Sequence, residues 1–508
     1  MSELEIPESW ASANFGRIVQ DSLLGMVRSV SEQGPKRKYH YLKMGDFVAG
    51  STPEPQRLAL VDATAEEVSR YQVVEGDFIF NTRNSPELVG KVTVIPSFPI
   101  ETPPVVFNNN LMRVRFSKGI YSLFVGYLFR SRDTRNKLRQ LVSGTTSVAA
   151  IYARDLNELE IPLPPLGEQR RIVAKIDSTF KRIEAIEKAV ESAESLLTKY
   201  RESLLNKAFR GELVPQDSKD EPASKLLEHI RAERAKQQEG KKKKKDDLPP
   251  ITEDEIPFEI PKSWEWVRLG AVVVSGPNNG LYLPQSKYGG GYPILRIDDF
   301  QNDWCRPSID LKKVKASANE IAQFELAPGD IVVNRVNSMS HLGKSTVVDN
   351  KTVPAIFESN MMKFRVASGI VPRYAQLWLQ SGVGRSLLIQ NAKRAIGQAS
   401  INQTDVSYTL LPLPPSREQV RILETLAGKS DTTSSFQKNL LFLSETSRNA
   451  RAALLVSAFS GRLVPQAPSE GTGHQLLEQI LATKTETDTA KTKSKDAAAK
   501  SKPRKPKK

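Results

Sequence analysis

The sequence predicts an α/β (α+β) fold in two copies: two globular domains joined by two long helices that pair as an antiparallel coiled coil about a pseudo-twofold axis. Three observations predict it. The stretch AFRGELVPQ (Ala208–Gln216) returns as AFSGRLVPQ (Ala458–Gln466), 250 positions later. Each copy ends a long segment with a single apolar stripe. What remains mixes short β-rich runs with Pro, Gly and Asn punctuation.

The echo covers more than nine letters. IPLPPLGEQRRI (Ile161–Ile172) matches LPLPPSREQVRI (Leu411–Ile422), and KLLEHI (Lys225–Ile230) matches QLLEQI (Gln475–Ile480), all offset by 250. Upstream, EGDFIFNTRNS (Glu75–Ser85) matches PGDIVVNRVNS (Pro328–Ser338) at 253, and IPESW (Ile6–Trp10) matches IPKSW (Ile260–Trp264) at 254. A period near 250 exceeds any solenoid repeat, so whole domains are duplicated. The downstream parts stayed alike and the upstream parts diverged. That pattern is expected where like parts touch the same thing and unlike parts touch different things.

The chain therefore divides into a first globular domain (1–165), a helix (166–212), a charged linker (213–255), a second globular domain (256–415), a second helix (416–462) and a Lys-rich tail (463–508), with the linker stretch GKKKKKDDLPPITEDE and the tail read as disordered. In the globular parts GDFIFNT and KVTVI read as strands. YSLFVGYLFRSRDTRNKLRQLV (Tyr121–Val142) and RYAQLWLQSGVGRSLLIQNA (Arg373–Ala392) read as one or two helices each. After PLPP, apolar or small residues recur at steps of three or four, through Ile172, Ile176, Phe180, Ile183, Ile186, Val190, Leu197, Tyr200 and Leu204. The second run carries Ile422, Leu426, Thr433, Phe436, Leu440, Leu443 and Leu454. Ile176, Ile183, Val190, Leu197, Leu204, Leu426, Leu440, Leu443 and Leu454 are the expected seam. Gly211 and Gly461, followed by Pro215 and Pro465, are stop signals. One stripe on a lone helix is poorly solvated, so the two helices should pair. Forty residues make a rod of roughly 60 Å.

The formal charge is +15, but Lys484–Lys508 holds ten Lys/Arg against three Asp/Glu, and Lys241–Lys245 is KKKKK. The excess thus sits in low-complexity segments, which are more often solvated than specific binding faces. Cys305 is the single cysteine, which excludes an intramolecular disulfide and a multi-cysteine zinc site. No apolar run approaches the ~20 residues of a membrane span, and MSELEIPESW has no signal pattern. A soluble, cytoplasmic protein is expected.

Common catalytic motifs are missing. The four histidines, His40, His229, His341 and His474, lack metal spacing. LGKST (Leu342–Thr346) resembles half of a phosphate-binding loop, but Ser338 stands where the first Gly is needed. A turn entering a strand is the better reading. Polar loops remain. NTRNS (Asn81–Ser85) and NRVNS (Asn334–Ser338) present Arg and Asn in matching places; Arg suits guanine and Asn adenine in the major groove. GPKRKYH (Gly34–His40) is a basic loop. SGTTSVAAIYARDL and IGQASINQTDV offer hydroxyls, amides and N–H groups for phosphates. The candidate DNA-contacting residues are Lys36, Arg37, Lys38, Arg83, Asn84, Lys91, Thr145, Thr146, Arg154, Arg296, Arg335, Asn337, Lys344, Arg394 and Gln398. No catalytic or metal-ligating residue is assigned.

GTTSVAAIYARDLNELEIPLPPLGEQRRIVAKID, AFRGELVPQ and LLEHIRAERAK resemble the specificity subunit of type I restriction–modification systems, and the likeness runs in order through the whole chain. The resemblance implies two target recognition domains, each reading one half of a split, asymmetric double-stranded DNA sequence. It implies helices that act as spacer and dock two modification subunits that methylate adenine. It implies no enzyme activity and no cofactor in this chain. S-adenosylmethionine, ATP and Mg2+ would belong to the partner subunits, among them a restriction/translocase motor. Two rival readings are a coiled-coil scaffold whose tips bind proteins and an NTPase using Lys344.

Overall fold

Each globular half opens and closes on the same two-stranded ribbon. Ala11–Asn14 pairs antiparallel with Glu160–Leu163, and Glu265–Arg268 with Leu410–Leu413. The computed structural model describes residues 6–47, 53–144, 149–238, 248–301 and 304–500. It forms two compact units, Met1–Val190 with Leu441–Lys508, and Glu191–Leu440.

In the first unit a four-stranded antiparallel sheet runs in the order Val19–Leu24, Leu111–Phe116, Phe78–Asn81, Val92–Val94. A three-stranded sheet has Tyr39–Leu42 between Ala59–Val61 (antiparallel) and Val105–Phe107 (parallel). The segment Tyr121–Val142 forms two helices, Ser122–Arg130 and Arg132–Gln140; Ser131 ends one and its hydroxyl caps the other by accepting from Thr134 N. They cover the sheet through Phe129, whose ring centroid lies 5.2–6.2 Å from those of Phe15, Phe78 and Phe80.

The second unit repeats this plan. Its larger sheet runs Val273–Asn279, Met361–Val366, Ile331–Asn334, Ser345–Val347; its smaller one has Tyr288–Leu295 between Lys312–Val314 and Ile356–Phe357. Helices Pro372–Gln380 and Gly382–Ile389 break at Ser381, as their counterparts do at Ser131. Here Trp266 and Trp378 anchor the core, 5.8 Å apart.

The long helices span Leu166–Phe209 and Ser416–Phe459. Within the first unit their parts run antiparallel. Arg451 pairs with Glu187 at 2.8 Å and lies 5.0 Å from the Phe180 ring, while the earlier Arg171 reaches the later Glu470 at 2.8 Å. The second unit shows the same sense, with Arg201 donating to Gln437 at 3.0 Å and Gln216 to Glu418. The seam is narrower than expected. Ile176, Ile183, Val190 and Leu440 are buried, and Thr433 and Ser447 lie buried seven residues on either side of Leu440. Leu197, Leu204, Leu426 and Leu454 are half-buried. A seven-residue spacing keeps one stripe on the partner. Leu443 corrects the expected seam: three residues past Leu440 it is turned roughly 60° away and is 43% exposed. Phe436, Ile186 and Tyr200 are exposed for the same reason.

The repeated AF-x-G-x-LVPQ segment closes each unit. Gly211 and Gly461 take φ of +73° and +69°. The following N–H of Glu212 reaches Lys207 O, and that of Arg462 reaches Ser457 O, both at 2.9 Å, a Schellman ending. A Cβ at Gly461 would lie 2.1 Å from Pro7 Cγ, and at Gly211 2.3 Å from Pro261 Cγ. The IP-x-SW motif is therefore the surface on which this segment lands. Gln466 accepts from Ser9 Oγ (2.6 Å) and donates to Glu168 (2.7 Å). Gln216 accepts from Ser263 Oγ (2.9 Å) and donates to Glu418, which also accepts from the Trp264 indole N–H (3.0 Å). Gln169 and Gln419 each accept from a backbone N–H, of Tyr121 and Val371, at 2.8 Å. Every letter of the EQ pair thus has a partner in both units. The first domain is clasped by the segment that ends the second helix, and the second domain by the segment that ends the first.

The described part of the tail and the end of the linker, read as disordered, are ordered, and the rest of the linker holds a helix. Ala223–Gln238 is a helix whose Ala223, Leu226, Leu227 and Ile230 pack into the second unit's core. Gly473–Lys500 is a helix whose Leu476 and Leu477 pack on the first unit's core. Their apolar residues recur at helical spacing, and that burial outweighs the charged flanks. Pro249, Pro250 and Glu255 are held by the Arg268 guanidinium at 2.8–3.0 Å. The rest of the Lys-rich run, 239–247, lies outside the described residues.

Candidate nucleic-acid interface

In both units a buried core strand leaves its sheet at an asparagine. Asn81 and Asn334 are fully buried at the ends of Phe78–Asn81 and Ile331–Asn334. The next residue is tied to a neighbouring loop, Thr82 N to Asn110 O at 2.9 Å and Arg335 N to Asn360 O at 2.8 Å. The chain then joins a second, small sheet. Arg83–Asn84 pairs with Ala149–Ala150, which pairs with Ser143–Gly144. Val336–Asn337 pairs with Gln398–Ser400, which pairs with Lys393–Ala395. These three-stranded sheets gather the polar loops singled out in the sequence. Arg335 and Asn337 meet Arg394 and Gln398, and Arg83 and Asn84 pair with Ala150 and Ala149. Thr145 and Thr146 lie outside the described residues.

Asn84 and Asn337 each accept from the next backbone N–H, of Ser85 and Ser338, at 2.8 Å, which orients both side chains alike. Arg335 is half-buried and donates to Ser359 O at 3.1 Å; Arg83 is exposed. In the second unit Lys393–Gln398 are all exposed.

The other candidates lie elsewhere or are engaged. Lys36, Arg37 and Lys38 are exposed before the strand Tyr39–Leu42 of the three-stranded sheet; Arg37 pairs with Asp62 at 2.6 Å and Lys38 lies over Tyr39. Arg154, exposed on the short helix after Ala149–Ala150, pairs with Asp155. Arg296 is engaged by Glu358 at 3.4 Å and by the Tyr288 ring. Lys91 and Lys344 are half-buried in matching turns, each carbonyl receiving the N–H of Asn81 or Asn334. Lys344 lies 4.8 Å from the Phe300 ring, and burial pushes its ammonium below the usual lysine value. The turn leads into the strand Ser345–Val347 rather than a helix. A phosphate loop requires the helix, so the NTPase reading of Lys344 fails on geometry.

Sequence reasoning missed two features. The strand ends and loops at 24–27 and 278–282 are tied to the same neighbouring loops that hold Thr82 and Arg335: Asn109 N donates to Met26 O, and Ser359 N to Leu281 O. They expose Leu24, Val27 and Tyr282, the last at 77%. Their only shared signal is the glycine: a Cβ at Gly25 or Gly280 would lie 2.2 Å from a backbone carbonyl oxygen. The second feature is Ile396, fully exposed between Arg394 and Gln398.

A family model described as type I restriction modification DNA specificity domain matches residues 28–194 and 261–440. The chain belongs to the specificity-subunit family of type I restriction–modification systems. Its relatives include the EcoKI specificity subunit of Escherichia coli (strain K12), 23% identical over 498 residues covering 95% of this chain and 97% of the relative. The StySPI subunit of Salmonella potsdam is 29% identical over 520 residues, 98% of this chain and 100% of the relative. The EcoDI subunit of Escherichia coli is 38% identical over 366 residues, 69% and 74% respectively. The fold is shared with a chain from a structural study of complex assembly and conformational transition in the type I R-M system, at a TM-score of 0.60, 19% identity and coverage of 91% and 100%. It is also shared with the HsdS subunit of Thermoanaerobacter tengcongensis, at 0.50, 19%, 90% and 98%. The family's role is DNA-target recognition. Among the described residues no helix is long and apolar enough to cross a membrane.

Proposed function

We propose that this chain is the noncatalytic specificity subunit of a type I complex and that each unit reads one half of an asymmetric, bipartite site in duplex DNA. One observation carries the reading. The same small sheet stands in the same place in both units but presents different side chains: Arg83 and Asn84 in one, Arg335, Asn337, Arg394 and Gln398 in the other. Equal scaffolds with unequal exposed groups suit two half-sites of different sequence. Arg and amide side chains match the donor and acceptor patterns of the major groove.

The long helices dock two modification subunits. Supporting this, the helix pair exposes Ile186, Leu441, Phe442 and Leu443 in the first unit, and Leu196, Tyr200 and Phe436 in the second. Large apolar side chains exposed along a helix pair suit a protein partner. Those subunits supply S-adenosylmethionine chemistry on adenine, and a motor subunit supplies ATP hydrolysis with Mg2+. The deciding experiment is a gel shift of the chain assembled with its modification subunits, on cognate against scrambled duplex. Preference for cognate DNA is expected; equal affinity would leave only a protein-binding scaffold.

A further inference from the structure

The strands Lys393–Ala395 and Gln398–Ser400 form a hairpin closed by Ala395 opposite Gln398, with Ile396–Gly397 as a two-residue turn. Gly397 has φ +74°, the left-handed value such a turn needs at its second position, which only glycine takes without strain. The neighbouring strand Val336–Asn337 pairs with Ala399 and Ser400 only. The hairpin therefore runs past its neighbour by one residue pair and the turn, about 7 Å at the usual rise per strand residue. All six residues from Lys393 to Gln398 are exposed, and Ile396 at the apex is as exposed as in an open chain, at 106%. An isoleucine held at the tip of a basic ribbon by a glycine turn is left without packing by the described residues.

We infer that this ribbon enters the major groove of the half-site read by the second unit, and that Ile396 packs on the 5-methyl group of a thymine there. The inference rests on the DNA-reading function proposed above. The major groove, ~12 Å wide and ~8.5 Å deep, admits a two-stranded ribbon without deforming the duplex, whereas the ~6 Å minor groove must first be widened. On the groove floor the thymine methyl is the apolar group that base pairs present. Lys393 and Arg394 on one strand place positive charge beside the phosphates, and Arg394 and Gln398 flank the apex with base-edge chemistry. The first unit has Thr146 at the corresponding offset of 250, so an isoleucine stands at this place in the second unit only.

The test uses the chain assembled with its modification subunits and duplexes carrying its cognate site. Each thymine of the second unit's half-site is replaced in turn by deoxyuridine, which lacks only the methyl. At one position the wild-type complex loses affinity about fourfold, the worth of one buried methyl-sized group. Ile396→Ala weakens binding to the thymine duplex and abolishes the thymine–uracil difference at that position, while Ile396→Leu retains it. Folding is not at issue, because the side chain is fully exposed in the free chain. Deoxyuridine tolerated at every position, or a penalty that persists in Ile396→Ala, overturns the inference while sequence-specific binding stands. Absence of any sequence preference would instead remove the DNA-reading function itself.

Discussion

Gly461→Ala places a methyl group on the tightest joint of the clasp. Two costs add. At φ +69° an alanine sits in the left-handed region, at about 1–2 kcal/mol. The new Cβ would stand 2.1 Å from Pro7 Cγ and 2.5 Å from Pro7 Cδ. The proline ring cannot swing aside, and its carbonyl holds Trp10 N at 2.9 Å. Either the Ile6–Trp10 segment or the helix end must move, at a further ~1–3 kcal/mol, the usual range for overpacking. The total is about 3 kcal/mol, which lowers the first unit's melting temperature by roughly 10 °C for a domain of this size. Calorimetry of the full chain measures it. Gly428→Ala is the internal control: Gly428 is an exposed glycine within the second long helix, with nothing within 4 Å of a built Cβ. There alanine should stabilise by about 0.5–1 kcal/mol. Gly461→Ala leaving the melting temperature unchanged, or both variants shifting it the same way, would refute the clasp.

Further expectations follow from the same contacts. Burial raises the Glu168 and Glu418 carboxyls above the usual glutamate value. A carboxyl that holds its proton more tightly when folded adds stability as pH falls toward 4.5, and that contribution is lost as pH rises through the raised folded value. Glu168→Gln should therefore gain on wild type most at pH 7 and lose its advantage near pH 5, read by melts at both pH values; a constant offset contradicts it. Ile183→Asp puts a carboxylate in the buried seam and should cost at least about 3 kcal/mol, whereas Leu443→Asp, on an exposed position, should change stability by under ~0.5 kcal/mol; chemical denaturation separates them. Phe442→Asp should leave the chain folded but reduce recovery of the modification subunit in co-purification. Lys344→Ala should leave ATP turnover of the assembled complex unchanged.

Duplication made most of the fold legible. The paired PLPP, EQ and VPQ motifs marked both helices, and the structure explains why those letters stayed alike: Glu168, Ser9 and Gln466 bond to one another, as do Glu418, Ser263 and Gln216. Hidden in the sequence was the exchange of clasps. Offsets of 250 say that two segments are alike but not that the one ending at Gln466 lands on Trp10's neighbours. The helices Ala223–Gln238 and Gly473–Lys500 were masked by their lysine-rich flanks, although LLEHI and LLEQI carried the apolar spacing. In the candidate site, the matching places of Arg83, Asn84, Arg335 and Asn337 were legible because strand exits repeat; that Arg394 and Gln398 join the same sheet comes from strand pairing alone. That Arg296 is engaged by Glu358, 62 residues away, could not be read from the sequence, because no local pattern shows such a pair. Ile396 was passed over because apolar residues in loops are ordinary; only its exposure at a turn apex gives it meaning.

The proposal that each unit reads its own half of a split site is decided by mapping methylated adenines across the genome of a strain carrying this system, before and after residues 1–165 are exchanged for the corresponding domain of another family member. One asymmetric motif in two parts separated by unread base pairs is expected, with the exchange rewriting one part and sparing the other. A continuous motif, or an exchange that alters both parts together, would contradict it.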